Sequence, residues 1–156
     1  MHVRTLVELH NTRLAIENLR RVSDRLVGMG PFGIGLDGLL GAIPGLGEFL
    51  GAIYSVGAGV LLLVHGWRGR ASAGVLFQVA VLVGLRTLSN FIPLAGGVVD
   101  MLFTAHKWSA DLILANMDHS LYIEGDRRAA ERAPEYLALM DRIRSGEERR
   151  RVVFLG

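Results

Sequence analysis

Two Ile-Pro pairs, one in GAIPGLGE (residues 41–48) and one in NFIPLAGG (90–97), each interrupt an apolar stretch between small residues. No other feature of the chain restricts its fold as strongly. Proline removes a backbone donor and pushes the preceding residue out of the α conformation, so neither stretch can continue as one regular helix. The neighbouring glycines let backbones approach closely. Aligning Pro44 with Pro93 superposes one layout on itself: apolar arm, Ile-Pro, apolar arm. Asp37 then falls on Arg86, Gly41 on Asn90, Ile43 on Ile92 and Glu48 on Gly97. The expected turns are Ile43, Pro44, Ile92 and Pro93.

Charge is distributed in three blocks. Residues 1–30 carry five basic and three acidic side chains, and residues 124–156 carry eight and seven. The 93 residues between them hold only Arg68, Arg70, Arg86 and Lys107 against Asp37, Glu48, Asp100, Asp111 and Asp118. The boundaries predicted from this are an amphipathic segment 1–30, interfacial or cytoplasmic, a membrane domain 31–123 made of repeats 31–66 and 71–123, and a charged soluble tail 124–156. A net charge of +2, with arginines interleaved among acids, gives no nucleic-acid stripe. With no cysteine, disulfides and thiolate chemistry are excluded. No basic region leads into an apolar one at the N-terminus, so no cleavable signal is expected.

Periodicity places a helix over 3–27, where Leu9, Ile16, Leu19 and Leu26 share a face and Arg13, Arg20, Arg21 and Arg25 take others. Such a helix either packs on its own protein or lies at a membrane interface with its arginines at headgroups. Glycines and Pro31 end it. Residues 49–66 (FLGAIYSVGAGVLLLVHG) contain no formal charge, and eighteen helical residues cover roughly 27 Å, close to a hydrocarbon core. WRGR (67–70) is interface chemistry, and 71–85 is again apolar. A chain of 156 residues cannot easily surround two such helices with protein, which favours lipid around them. Either residues 46–65 and 71–90 each cross, or each Ile-Pro is the apex of a re-entrant hairpin. The second gathers the N-terminus, WRGR and tail on one face and is preferred. The expected fold is therefore all-α: a membrane-embedded helical bundle of two helix–Ile-Pro–helix hairpins, with an N-terminal amphipathic helix and a charged helical tail. Gly47, Gly51, Ser55 and Gly59 recur every four residues and form a candidate helix-packing stripe.

IGLDGLLGAIPGLGE (34–48), with NLRRVSDRL before it and FIPLAGGVVDMLFTAHKWSADLIL after it, resembles the signature of domain-of-unknown-function family 4112. This family is mostly bacterial, and the likeness covers roughly residues 18–115. Its members usually repeat the acidic motif in the second half. Here the expected Asp is Arg86, the expected Gly is Asn90, and the later acid is Gly97. Asp100 matches a family Asp, and His106 stands where Asn is common. A cation role shared by paired acids, if the family has one, is then partly lost. The resemblance implies an architecture and leaves the activity open.

Asp37, Glu48, Arg86 and Asp100 are the charges nearest the apolar arms, and charge at membrane depth must pair or face a cavity. The repeat suggests an Asp37–Arg86 pair between the hairpins. His106, Asp100, Asp111, Asp118 and His119 have no tight metal-ligand spacing. Ser55, His65 and Asp37 lack a nucleophile elbow, and GIGLDG lacks the dinucleotide context. No catalytic residue, metal site or cofactor is expected, and a lipid-acting enzyme would need a polar pocket that the sequence does not display. The function expected is that of a non-enzymatic integral membrane protein, an accessory, structural or assembly subunit of a larger complex. The alternative is a small homo-oligomeric channel or transporter using intramembrane acids. Expected partners are membrane lipids and another membrane protein or a second copy, without nucleic acid. The expected location is a bacterial cytoplasmic membrane with both termini cytoplasmic.

Overall fold

Helix α1 starts where short polar side chains replace missing backbone partners. Thr5 Oγ1 accepts the Glu8 N–H at 3.1 Å, and the Glu8 carboxylate reaches back to the Arg4 N–H at 2.8 Å. A computed structural model describes the backbone of residues 2–28, 46–89 and 97–156, and the side-chain surroundings of 2–23, 53, 56–85 and 105–156. In chain order it contains α1 (Leu6–Gly28), α2 (Leu46–Arg68), α3 (Ala73–Ser89), α4 (Gly97–Asp118), β1 (Ser120–Ile123), α5 (Arg127–Ala130), α6 (Pro134–Arg144) and β2 (Arg151–Phe154). Ile43, Pro44, Ile92, Pro93 and Asp37 lie outside the described residues.

The first four helices form an antiparallel bundle in the cyclic order α1–α2–α3–α4. Ion pairs set the α1–α4 register, Arg13 to Asp118 at 2.5 Å and Arg20 to Asp111 at 2.8 Å, with positions running in opposite senses. On the α2–α3 side, Gly66 faces Leu76 while Gly59 faces Val83. One side chain from each helix meets in the core: Ile16, Leu62, Val79 and Ile113, each no more than 1% exposed. Helix α1 therefore packs along α4. Of the two expectations for the 3–27 segment, the structure shows packing on its own protein, with Leu9 and Ile16 on the buried face.

The α2–α3 connection closes in a Schellman turn. The Arg70 N–H donates to the Trp67 carbonyl at 3.1 Å and the Ala71 N–H to the Gly66 carbonyl at 2.9 Å. Arg70 takes the left-handed position of that turn with φ 55°, where glycine is the usual occupant. Ser72 then caps α3, its Oγ accepting the Val75 N–H at 3.4 Å.

The fold is mostly helical, but it is not all-α. Strands β1 and β2 pair in parallel, Ser120 opposite Arg151 and Ile123 opposite Phe154. Each is four residues long, too short for a period-two pattern to be read, and the partners are separated by α5 and α6. The pairing buries Val153 and draws Leu155 into the bundle core, so residues 124–156 are not simply a solvated tail. Tyr122 donates its hydroxyl to the Gly69 carbonyl at 3.1 Å, and the Val3 N–H donates to the Arg68 carbonyl at 3.1 Å. The N-terminus, the 69–72 turn and the strand pair thus share one end of the bundle. The described helix ends that flank both Ile-Pro segments lie at the other.

Gly59 gives the α2–α3 contact a direct test. A Cβ there would run into the Val83 side chain, whose β-branch cannot swing away. Gly59→Leu is expected to destabilise the purified protein by about 2 kcal/mol, the range of core overpacking. Adding Val83→Ala should recover much of the loss; no recovery in the double variant would show that the contact is not the cause.

Candidate functional site

Helices α2 and α3 are apolar on both faces. Inward they carry Ala58, Gly59, Leu62, Gly66 and Val79. Outward, α2 exposes Ile53, Val56, Val60, Val64 and Trp67 at the three- and four-residue spacings of a single stripe. Helix α3 continues the surface with Phe77, Val81 and Leu85, Phe77 being 71% exposed. No charged residue occurs over 53–64 or 73–85. A helix apolar all round belongs in a large core or in lipid, and monomers rarely leave such a face uncovered. Helix α1 differs within the same bundle: outward it presents Glu8, His10 and Arg21 among Leu6, Val7, Leu14 and Val22. Among the described residues, no helix is long and apolar enough to cross a membrane.

The residues singled out in the sequence fall unequally on this frame. Gly59 sits at the α2–α3 contact. Gly47, Gly51, Glu48, Arg86 and Asp100 lie within helices, as does Ser55, but their side-chain surroundings are outside the described residues. The suggested Asp37–Arg86 pair therefore also lies outside them. Asp111 and Asp118 are engaged by the arginines of α1, and the His119 ring lies 2.8 Å from the Ala115 carbonyl. Among the described residues no group of three or more His, Asp or Glu side chains could hold a metal ion. Gly66, missed in the sequence, is also enclosed, though less tightly than Gly59: a Cβ would meet Leu76 at 3.0 Å and Ile113 at 3.1 Å.

At the turn end of the bundle a cleft of about 580 Å³ opens between the α2–α3 turn and the C-terminal segment. Its walls include His2, Trp67, Arg70, Arg127, Arg151 and Phe154. The His2 ring lies 4.4 Å from that of Trp67, and the Arg127 guanidinium stands 5.3 Å from the centre of the Phe154 ring. Arg151 Nη2 donates to the Arg70 carbonyl at 2.5 Å, tying β2 to the turn. Sequence reading singled out WRGR but not its union with Arg127 and Arg151, because the three arginines are separated by most of the second half of the chain. No spacing signal could have joined them.

The approach to β2 is shaped locally by Glu148. Its carboxylate accepts a two-pronged contact from the Arg150 side chain, at 2.6 and 3.0 Å, and the N–H groups of Arg149 and Arg150 at 3.0 Å each. These contacts, led by the Arg150 side chain, hold the carboxyl down to about 2. Because the folded value is depressed, the stabilisation is complete above the ordinary carboxyl range and fades as pH falls from about 4.5 towards 2. Carbon-detected NMR of Glu148 should show a midpoint near 2, and a midpoint near 4.5 would remove this anchor from the account.

The family model described as Domain of unknown function (DUF4112) matches residues 13–117. No curated protein and no solved structure matches the chain significantly. The match begins inside α1 and stops at Met117, one residue short of the end of α4, so the shared unit is the helical bundle and the strand pair with its intervening helices lies outside it. With well over half of its length matched, the chain belongs to the DUF4112 family.

Proposed function

We propose that this chain is a non-enzymatic integral membrane protein that rests the outer face of α2 and α3 in lipid and serves as an accessory or assembly subunit of a larger membrane complex. The observation that carries the reading is the uncharged, outward-facing stripe of Ile53, Val56, Val60, Val64, Phe77, Val81 and Leu85. Covering it with acyl chains removes its contact with water at no cost in polar groups. Embedding is by two hairpins re-entering from the turn end, with the helix ends at Leu46, Ser89 and Gly97 deepest. The N-terminus, the 69–72 turn and the arginine-rich segment 127–151 then share the cytoplasmic side, in line with the bias of basic residues towards that face. The mixed outer side of α1, where Glu8, His10 and Arg21 stand beside exposed Leu6, Val7, Leu14 and Val22, supplies the surface for a protein partner.

The test is to tag the full chain, extract membranes with carbonate, solubilise the pellet in mild detergent and weigh the eluate by native mass spectrometry. A carbonate-resistant protein eluting with a second protein in fixed ratio supports the reading. Recovery in the carbonate supernatant overturns the membrane assignment. A bare homo-oligomer overturns the accessory role and favours the channel alternative.

A further inference from the structure

We infer that the cleft lined by Arg70, Arg127 and Arg151 binds a phosphate ester, the chemistry shared by anionic lipid headgroups and small soluble phosphates. As a lipid site it rests on the membrane reading above; as a phosphate site it stands without it.

The argument begins with Arg70. The backbone at that position is left-handed, φ 55°, at the one point of a Schellman turn where glycine relieves strain. A bulky cation held there is conformationally unfavourable, so its side chain has to be sought for what it reaches. Its side chain lines the cleft, while its Nε is enclosed by protein with no hydrogen-bond partner. Guanidinium groups on a cleft wall offer an oxyanion charge-assisted hydrogen bonds. Arg151 lines the same cleft, and neither it nor Arg70 makes an ion pair among the described residues. Arg127 adds a third guanidinium from α5, paired on its far side with Glu131 at 2.7 Å. No aspartate or glutamate side chain lines the cleft. Three guanidinium groups on one cleft wall favour an anion as its occupant, and guanidinium groups match phosphate oxygens in forked geometry.

Placement favours a headgroup as the source of the phosphate. Trp67 lies on the cleft wall and also ends the outward apolar stripe of α2, so one indole joins the arginine cleft to the face assigned to acyl chains. Tryptophan at such a junction is the ordinary signature of a membrane interface. Arg127 and Arg151 lie beyond the family-matched region, so the complete cleft is a property of this chain rather than of the shared bundle.

The test uses the full chain in nanodiscs of neutral phosphatidylcholine, titrated with glycerol 3-phosphate or with soluble dihexanoyl phosphatidylglycerol, read by calorimetry. Wild type is expected to bind the lipid at least tenfold more tightly than the soluble phosphate; the reverse order leaves the phosphate site standing and assigns it to a soluble ligand. Arg70→Gly removes the side chain while easing the turn, so its melting temperature should hold or rise while binding weakens at least tenfold. Arg127→Gln, at a surface position, should weaken binding severalfold, and Arg149→Gln, outside the cleft, should leave it unchanged. Absence of binding to both probes, or wild-type binding by Arg70→Gly, overturns the site. Carbonate extraction of Arg70→Gly separates the two proposals: retention in the pellet with loss of phosphate binding upholds both, whereas release of the wild type overturns only the membrane reading.

Discussion

On the proposed membrane reading, a chain carrying Val60→Arg together with Val81→Arg is expected in the soluble fraction and the parent chain in the membrane pellet. Both valines face outward, at 51% and 42% exposure, so neither substitution disturbs the layer formed by Ile16, Leu62, Val79 and Ile113. Circular dichroism of the double variant should therefore match that of the parent. What changes is the lipid contact: an arginine at the centre of a membrane helix costs about 3 kcal/mol on insertion scales, so two together shift partitioning by roughly four powers of ten. Snorkelling softens each cost, but not when both charges sit on adjacent antiparallel helices at the middle of the stripe. If the double variant remains carbonate-resistant alongside the parent, the α2–α3 face is not the lipid-facing surface and another partner covers it.

Ile113→Ala is expected to lower the unfolding free energy of the detergent-solubilised protein by about 3 kcal/mol, within the range for buried isoleucine truncation. Ile113 is 0% exposed and presses against the backbone of α2 at Gly66, so the space left by its branch has no side chain ready to fill it. Gly66 has no rotamer to adjust, and Leu76 already occupies its other side. For comparison, Leu137→Ala on α6, 55% exposed, should stay within about 0.5 kcal/mol of the parent. A loss below about 1 kcal/mol at Ile113 would mean that the bundle closes around the vacancy and that its core is not the rigid unit described.

Much of the bundle was legible because helix formation and helix ending are local. The uncharged runs 49–66 and 71–85 became the centres of α2 and α3, and the seven-residue spacing of Leu9 and Ile16 marked the face on which α1 is buried. The turn between α2 and α3 followed from WRGR, where glycine and charge interrupt the apolar pattern. What α1 would pack against was not legible. The same amphipathic pattern suits a headgroup surface or a neighbouring helix, and only the pairing of Arg13 with Asp118 and Arg20 with Asp111 decides for α4. The strand pair was missed for a different reason. A parallel ladder of four residues a side carries no periodicity, and its stability comes from Leu155 docking on the bundle rather than from β propensity.

The sequence by itself determined that helices run through 3–27, 49–66 and 71–85, and which runs are free of charge. These depend on neighbours a few positions apart, where propensity, periodicity and proline sterics act. Only the tertiary structure decided that Gly59 and Gly66 are pressed between helices, that the end of the chain folds back onto its first turn, and that Arg70, Arg127 and Arg151 share one cleft. Those contacts join residues distant in the chain, and their energies come from packing and charge across space, which no local pattern records.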